Sequence, residues 1–90
     1  MIQEMHVLVT GKIQGVGFRA FVKRCATKFG LKGFVRNLKD GRVEICLQGA
    51  PEKITDFFQM VLETFTQGSI AHLEKNLRPQ TQAFSSFEIL

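Results

Sequence analysis

Residues 31–48 read LKGFVRNLKDGRVEICLQ, and the arrangement of the whole chain follows from them. From Val43 to Gln48 the residues alternate, with Val43, Ile45 and Leu47 on one side and Glu44, Cys46 and Gln48 on the other. This is the two-residue period of a strand with one face in the core. Leu31 to Leu38 is a second extended run, and Lys39-Asp40-Gly41-Arg42 between them carries the Asp-Gly turn signal. The two runs therefore predict an antiparallel hairpin.

Upstream, Met5 to Thr10 (MHVLVT) predicts a strand, and Gly11 to Gly17, with three glycines in seven residues, predicts a loop. Phe21, Val22, Cys25, Ala26 and Phe29 then recur at helical spacing between Ala20 and Phe29, and Gly30 stands where a left-handed C-terminal cap belongs. Downstream, Pro51 opens a second helix whose apolar face holds Ile54, Phe57, Phe58, Val61, Leu62 and Phe65 and which ends near Gly68. Ile70 to Leu77 alternates less cleanly and Arg78-Pro79-Gln80 interrupts it. Phe84 to Leu90 predicts a closing strand with Phe87 and Ile89 turned inward. The order β-α-β-β-α-β specifies an α+β, ferredoxin-like sandwich, an antiparallel sheet with two helices on one face. A chain of 90 residues has room for one core, so residues 1–90 are expected to form a single domain.

Composition narrows the class. An apolar fraction of 44% with nine Phe supports a packed core, and no Gly/Ser-rich or Pro-rich stretch suggests a linker. The longest apolar runs are about five residues against the roughly 20 needed to span a bilayer, and the start, Met-Ile-Gln-Glu-Met, lacks a basic leader region. A cytoplasmic location away from membranes is expected. Cys25 falls on a helix stripe and Cys46 on the sheet face opposite Val43, Ile45 and Leu47, so the two are expected to remain unpaired thiols. Net charge is +4, yet between Lys12 and Arg42 nine basic residues stand against one acid, Asp40. Such a field draws anions, whether a phosphorylated metabolite or a nucleic acid.

The segment Gly11-Lys12-Ile13-Gln14-Gly15-Val16-Gly17-Phe18-Arg19 joins the first strand to the first helix. Glycines there let successive backbone N–H groups converge, and the helix start adds unpaired donors and the positive end of its dipole. That combination holds phosphate or carboxylate. Arg19 in the first turn opposes the dipole at a cost of about 0.3–1 kcal/mol, and no Ser, Thr, Asp or Asn precedes the helix as a cap. A bound anion resolves both oddities. Asn37 lies near the end of the second strand. Strands joined by a right-handed crossover run parallel, so Asn37 arrives near the glycine loop. Its amide suits holding a neutral water, although an Asn before an Asp-Gly turn also serves simply as a turn former. The loop contains no His, Cys, Ser or acid to act as nucleophile or base, and His6 and His72 stand alone. Hydrolysis of a mixed carboxylic-phosphoric anhydride fits that set, because carboxylate leaves readily and phosphoryl transfer runs on positioning and charge stabilisation.

Three segments together resemble the acylphosphatase pattern: Gly11 to Arg19 (GKIQGVGFR), Gly33 to Glu44 (GFVRNLKDGRVE) and Phe87 to Ile89 (FEI). The resemblance implies a monomeric enzyme, without metal or other cofactor, that hydrolyses small-molecule acyl phosphates to carboxylate and inorganic phosphate. It implies that the loop formed by Gln14, Gly15, Val16, Gly17 and Phe18, together with Arg19, binds the phosphate. Arg19 and Asn37 are then the catalytic residues, with Asn37 orienting water whose proton passes to a phosphate oxygen. Phe34 stands where the family often has Trp, Lys39 where it often has Pro, and the Ser69 region lacks a common Pro; none of these touches the proposed site.

Other classes fit less well. Gly15-Val16-Gly17-Phe18-Arg19-Ala20 with Asp40 about twenty residues on matches a dinucleotide fingerprint, but Asp40 sits in a hairpin turn and the chain is too short for that parallel sheet. An RNA-recognition motif shares the element order yet presents aromatic residues on its third strand, where this chain has VEICLQ, so no nucleic-acid partner is expected. A metal chaperone of the same order would want paired cysteines in the first loop. A catalytically idle acylphosphatase-like module that binds phosphate or a partner shares every feature above, and differs in having no turnover.

Overall fold

Valines and isoleucines at every second position make the strands, and apolar residues returning every three to four positions make the helices. The computed structural model describes residues 2–15, 17–65, 69–80 and 82–90. The elements are strand β1 (Gln3–Gly11), helix α1 (Phe18–Lys28), strands β2 (Lys32–Asn37) and β3 (Val43–Gly49), helix α2 (Pro51–Thr64), and strands β4 (Ile70–Arg78) and β5 (Phe87–Ile89). The sheet runs β4-β1-β3-β2-β5. Because β3 is antiparallel to both β1 and β2, those two run parallel to each other with β3 between them, and β4 lies antiparallel along the outside of β1. This is the expected ferredoxin-like sandwich.

The less regular tail supplies two strands. Ile70–Arg78 is the fourth strand, and the closing segment adds a short fifth one parallel to β2, which makes the sheet mixed. The weak alternation of β4 has a physical reason. It is an edge strand with no fully buried residue, and it carries Glu74, Lys75 and Arg78, charges that keep an open edge from pairing further.

Val7, Val9, Val35, Val43, Ile45 and Leu47 face the helices and pack against Phe18, Val22, Cys25 and Ala26 of α1 and Ile54, Phe57, Phe58 and Val61 of α2. Phe18 and Phe65 meet edge to face, centroids 5.0 Å apart, tying the start of α1 to the end of α2. Helix α1 starts at Phe18, ahead of Ala20, and closes in a Schellman motif around Gly30 (φ 71°): Gly30 N–H donates to Thr27 O (3.2 Å) and Leu31 N–H to Ala26 O (2.8 Å). Helix α2 ends at Thr64; Gly68, the expected terminus, lies outside the described residues.

Two apolar residues expected inside are not. Leu62 is 39% exposed, because at 3.6 residues per turn it lies about 80° round α2 from Ile54, at the margin of the apolar stripe. Ile89 is also 39% exposed. It shares the face of buried Phe87 but ends β5 beside the first turn of α1, where a cleft replaces helix cover.

The face of the sheet away from the helices is polar. His6 Nε2 donates to Glu44 Oε2 (2.6 Å) and Arg36 Nε to Glu44 Oε1, while buried Glu4 accepts from Arg78 Nε (2.6 Å) and Gln48 Nε2 (2.7 Å). Gln48 also accepts from Phe84 N–H (3.1 Å), holding the connection between β4 and β5 against this face. Cys46 belongs here and Cys25 to the core; both are free, and burial pushes both thiols above their usual range. Among the described residues no helix is long and apolar enough to cross a membrane.

Candidate active site

Strand β1 delivers the chain into a turn in which Gly15 and Gly17 both have φ 80°, the left-handed region that a Cβ makes costly. Val16 between them lies outside the described residues. Gly17 is the N-cap of α1; it makes no side-chain capping bond, and the first turn contains no acid. The first helical hydrogen bond runs from Phe21 N–H to Gly17 O (3.1 Å), so the N–H groups of Phe18, Arg19 and Ala20 have no helical acceptor. The uncapped start inferred from the sequence is therefore present.

These donors border a cleft of about 180 Å³ lined by Ile13, Gly15, Gly17, Phe18, Arg19, Ala20 and Ile89. Arg19 is the one charged side chain among those residues, and no carboxylate pairs with it among the described residues. The lining combines an unneutralised guanidinium, helix-start N–H groups and an apolar wall. It suits an anion with an organic group attached.

Asn37 ends β2 opposite Val43, and Val43 also faces Val9 of β1, so the C-terminal ends of β1 and β2 reach the same edge of the sheet. The pleat puts Asn37 on the face of Val35, toward the helices. Its Oδ1 is buried and has no hydrogen-bond partner among the described residues. Asn37 does not itself line the cleft.

Gln14 also lies outside the lining. Its side chain turns to the hairpin, where Nε2 donates to Leu38 O and to Arg42 O, each at 3.2 Å. The structure thus gathers Gly15, Gly17, Phe18 and Arg19 around one cleft and brings Asn37 to the same edge. It adds Ile13, Ala20 and Ile89, which the sequence reading passed over; only the position of Ile89 at the very end of a strand marked it as different. Of the two histidines, His6 is bonded to Glu44 on the opposite face, and His72 is exposed on the edge strand. Among the described residues no group of three or more His, Cys, Asp or Glu is placed to hold a metal ion.

The family model described as acylphosphatase matches residues 5–89. The chain belongs to the acylphosphatase family. A curated acylphosphatase of Marinobacter nauticus is 38% identical over 86 residues, covering 96% of this chain and 94% of its own. The crystal structure of an acylphosphatase from Bacillus subtilis superposes with a TM-score of 0.89 at 31% identity, over 100% of this chain and 99% of that one. The same fold recurs, with a TM-score of 0.88 and 27% identity, in 12% of a far longer chain, full-length HypF in a phosphate- and nucleotide-bound form. Family membership makes this protein a hydrolase of the acylphosphatase type, acting on acyl phosphates as a class.

Proposed function

We propose that residues 1–90 form a single, monomeric, cytoplasmic acylphosphatase domain that needs no metal or other cofactor, has no nucleic-acid or membrane partner, and hydrolyses small-molecule acyl phosphates. Backbone N–H groups of Gln14, Gly15, Val16, Gly17 and Phe18, with the open donors of α1, cradle the phosphate, and Arg19 neutralises it through its planar fork of donors. Asn37 holds the attacking water through Oδ1. The water oxygen bonds to phosphorus as the bond from phosphorus to the acyl oxygen breaks. The carboxylate departs with that electron pair, and a nonbridging phosphate oxygen takes the proton. A carboxylate needs no acid to leave, so alignment and charge stabilisation suffice.

One observation carries this reading, the buried Oδ1 of Asn37, which has no hydrogen-bond partner among the described residues. A buried polar atom without a hydrogen bond is destabilising by roughly 1–3 kcal/mol. At the sheet edge where an uncapped helix and an unneutralised Arg19 also meet, that atom supports a water site beside an anion site. The test is hydrolysis of benzoyl phosphate, in the presence of chelator, by the wild type and by folded Arg19→Ala and Asn37→Ala proteins. Both variants are expected to lose about a hundredfold or more, the scale for removal of a transition-state contact. The recurrence of the fold within the phosphate-bound HypF chain favours a second reading, a phosphate-binding module without turnover. Wild-type protein that binds inorganic phosphate yet turns over no acyl phosphate would select it.

A further inference from the structure

Two separate segments make up the proposed site: the phosphate loop with Arg19, which follows β1, and the end of β2, which carries Asn37. Within the sheet they are not neighbours, since β3 lies between them. Asn37 Oδ1 has no protein partner among the described residues, so the side chain is not locked by a hydrogen bond through that atom. Its distance from the phosphate loop is set by where the hairpin backbone ends.

Gln14 joins the two. Its Nε2 donates to the carbonyls of Leu38 and Arg42, the residues immediately outside the Asn37–Val43 rung, which are themselves joined by Leu38 N–H to Arg42 O at 2.8 Å. Both neighbours of this amide are acceptors, which fixes its orientation with nitrogen toward the hairpin. Both of its hydrogens are then committed to protein carbonyls. The atom left over, Oε1, is an acceptor and repels a phosphate oxygen, so the side chain is unsuited to binding the anion even though its backbone belongs to the loop.

We infer that the Gln14 side chain is a positioning residue, fastening the phosphate loop to the hairpin end so that the water held by Asn37 lies in line with the bound phosphate. The inference rests on the proposed role of Asn37. In a reaction driven by alignment, a displacement near 1 Å can lower the rate by as much as about a hundredfold. Gln14 is exposed and its two bonds are long, so its contribution lies in placement more than in stability.

The experiment is a double-mutant cycle on benzoyl phosphate hydrolysis. Gln14→Ala and Asn37→Ala are made singly and together, each is checked for folding, and inorganic phosphate is used as a competitive inhibitor to report on the cradle. Gln14→Ala is expected to lower kcat about tenfold while shifting the phosphate inhibition constant less than about twofold, and to change kcat less than about twofold once Asn37 is Ala. Gln14→Met keeps the length and neutrality of the side chain but donates to neither carbonyl, so its kcat should fall about as far as that of Gln14→Ala with phosphate inhibition likewise little changed. The methionine variant also serves if the alanine protein does not fold. Equal losses in both backgrounds, an unchanged kcat, or a kcat loss matched by weaker phosphate inhibition would each overturn the inference. If Asn37→Ala alone keeps full kcat, the water-holding role falls first and the inference with it, an outcome visible in that single variant.

Discussion

At the scale of single residues, the site is built from departures from local preference. Arg19 opposes its own helix dipole, and Gly17 caps that helix with no side chain at all. Two predictions belong here. Apart from its chain neighbours, a Cβ on Gly17 would meet no atom of the described residues within 4 Å, so Gly17→Ala isolates the strain of a left-handed backbone. It should lower stability by about 1–2 kcal/mol in urea denaturation. An unchanged midpoint would mean that the turn relaxes freely. Arg19→Lys keeps the charge but loses the planar fork. Its kcat/KM for benzoyl phosphate should fall at least about tenfold with weaker inhibition by inorganic phosphate, and a wild-type value would show that a point charge is enough. Both oddities were readable from residue types alone, because dipole and capping rules are local. The direction of the Gln14 side chain was not, since it depends on carbonyls 24 and 28 positions away.

At the scale of elements, periodicity carried the fold wherever an element has one dry face. The β2–β3 hairpin and α1 follow their pattern, and the shared edge of Asn37 and the phosphate loop follows from the crossover rule. It failed at margins. Leu62 continues the i, i+4 series from Phe58 yet faces solvent, Ile89 continues the alternation from Phe87 yet borders a cleft, and β4 sets only Ile70 and Leu73 against the core, three positions apart beside a register shift in its pairing with β1. Helix α2 turns this into a measurement. Phe58, 7% exposed and edge to face with Phe57, should lose about 3–5 kcal/mol as Phe58→Ala, whereas Leu62→Ala should stay below about 1 kcal/mol. Equal losses in chemical denaturation would place the stripe one position further round than the structure has it.

At the scale of the molecule, the sheet divides the protein into a helix-covered side, whose edge holds the proposed site, and an opposite side held by polar contacts. Glu44 is central to the latter. It lies on β3 and takes hydrogen bonds from His6 on β1 and Arg36 on β2, so one carboxylate links three strands with its side chain 14% exposed. Burial pushes the Glu44 carboxyl up, but the bonds from His6 and Arg36 outweigh it and hold the group below its ordinary 4.5. A carboxyl lowered on folding stabilises the protein above its unfolded value and ceases to do so as pH falls through the lower folded one. Wild-type stability should therefore decline from about pH 5 downward, and part of that decline belongs to Glu44. In Glu44→Gln the neutral amide does not titrate. The variant should be less stable at neutral pH by roughly 1–3 kcal/mol, with the difference from wild type narrowing in acid. Urea midpoints for both proteins across that range test the assignment, and parallel curves would move the acid sensitivity to other carboxylates. Because Glu44 is on the far side of the sheet from the cleft, benzoyl phosphate turnover at neutral pH should be the same in both proteins. A fall in kcat would show that the two faces are coupled through β3, whose first residue, Val43, is the rung that Asn37 pairs with.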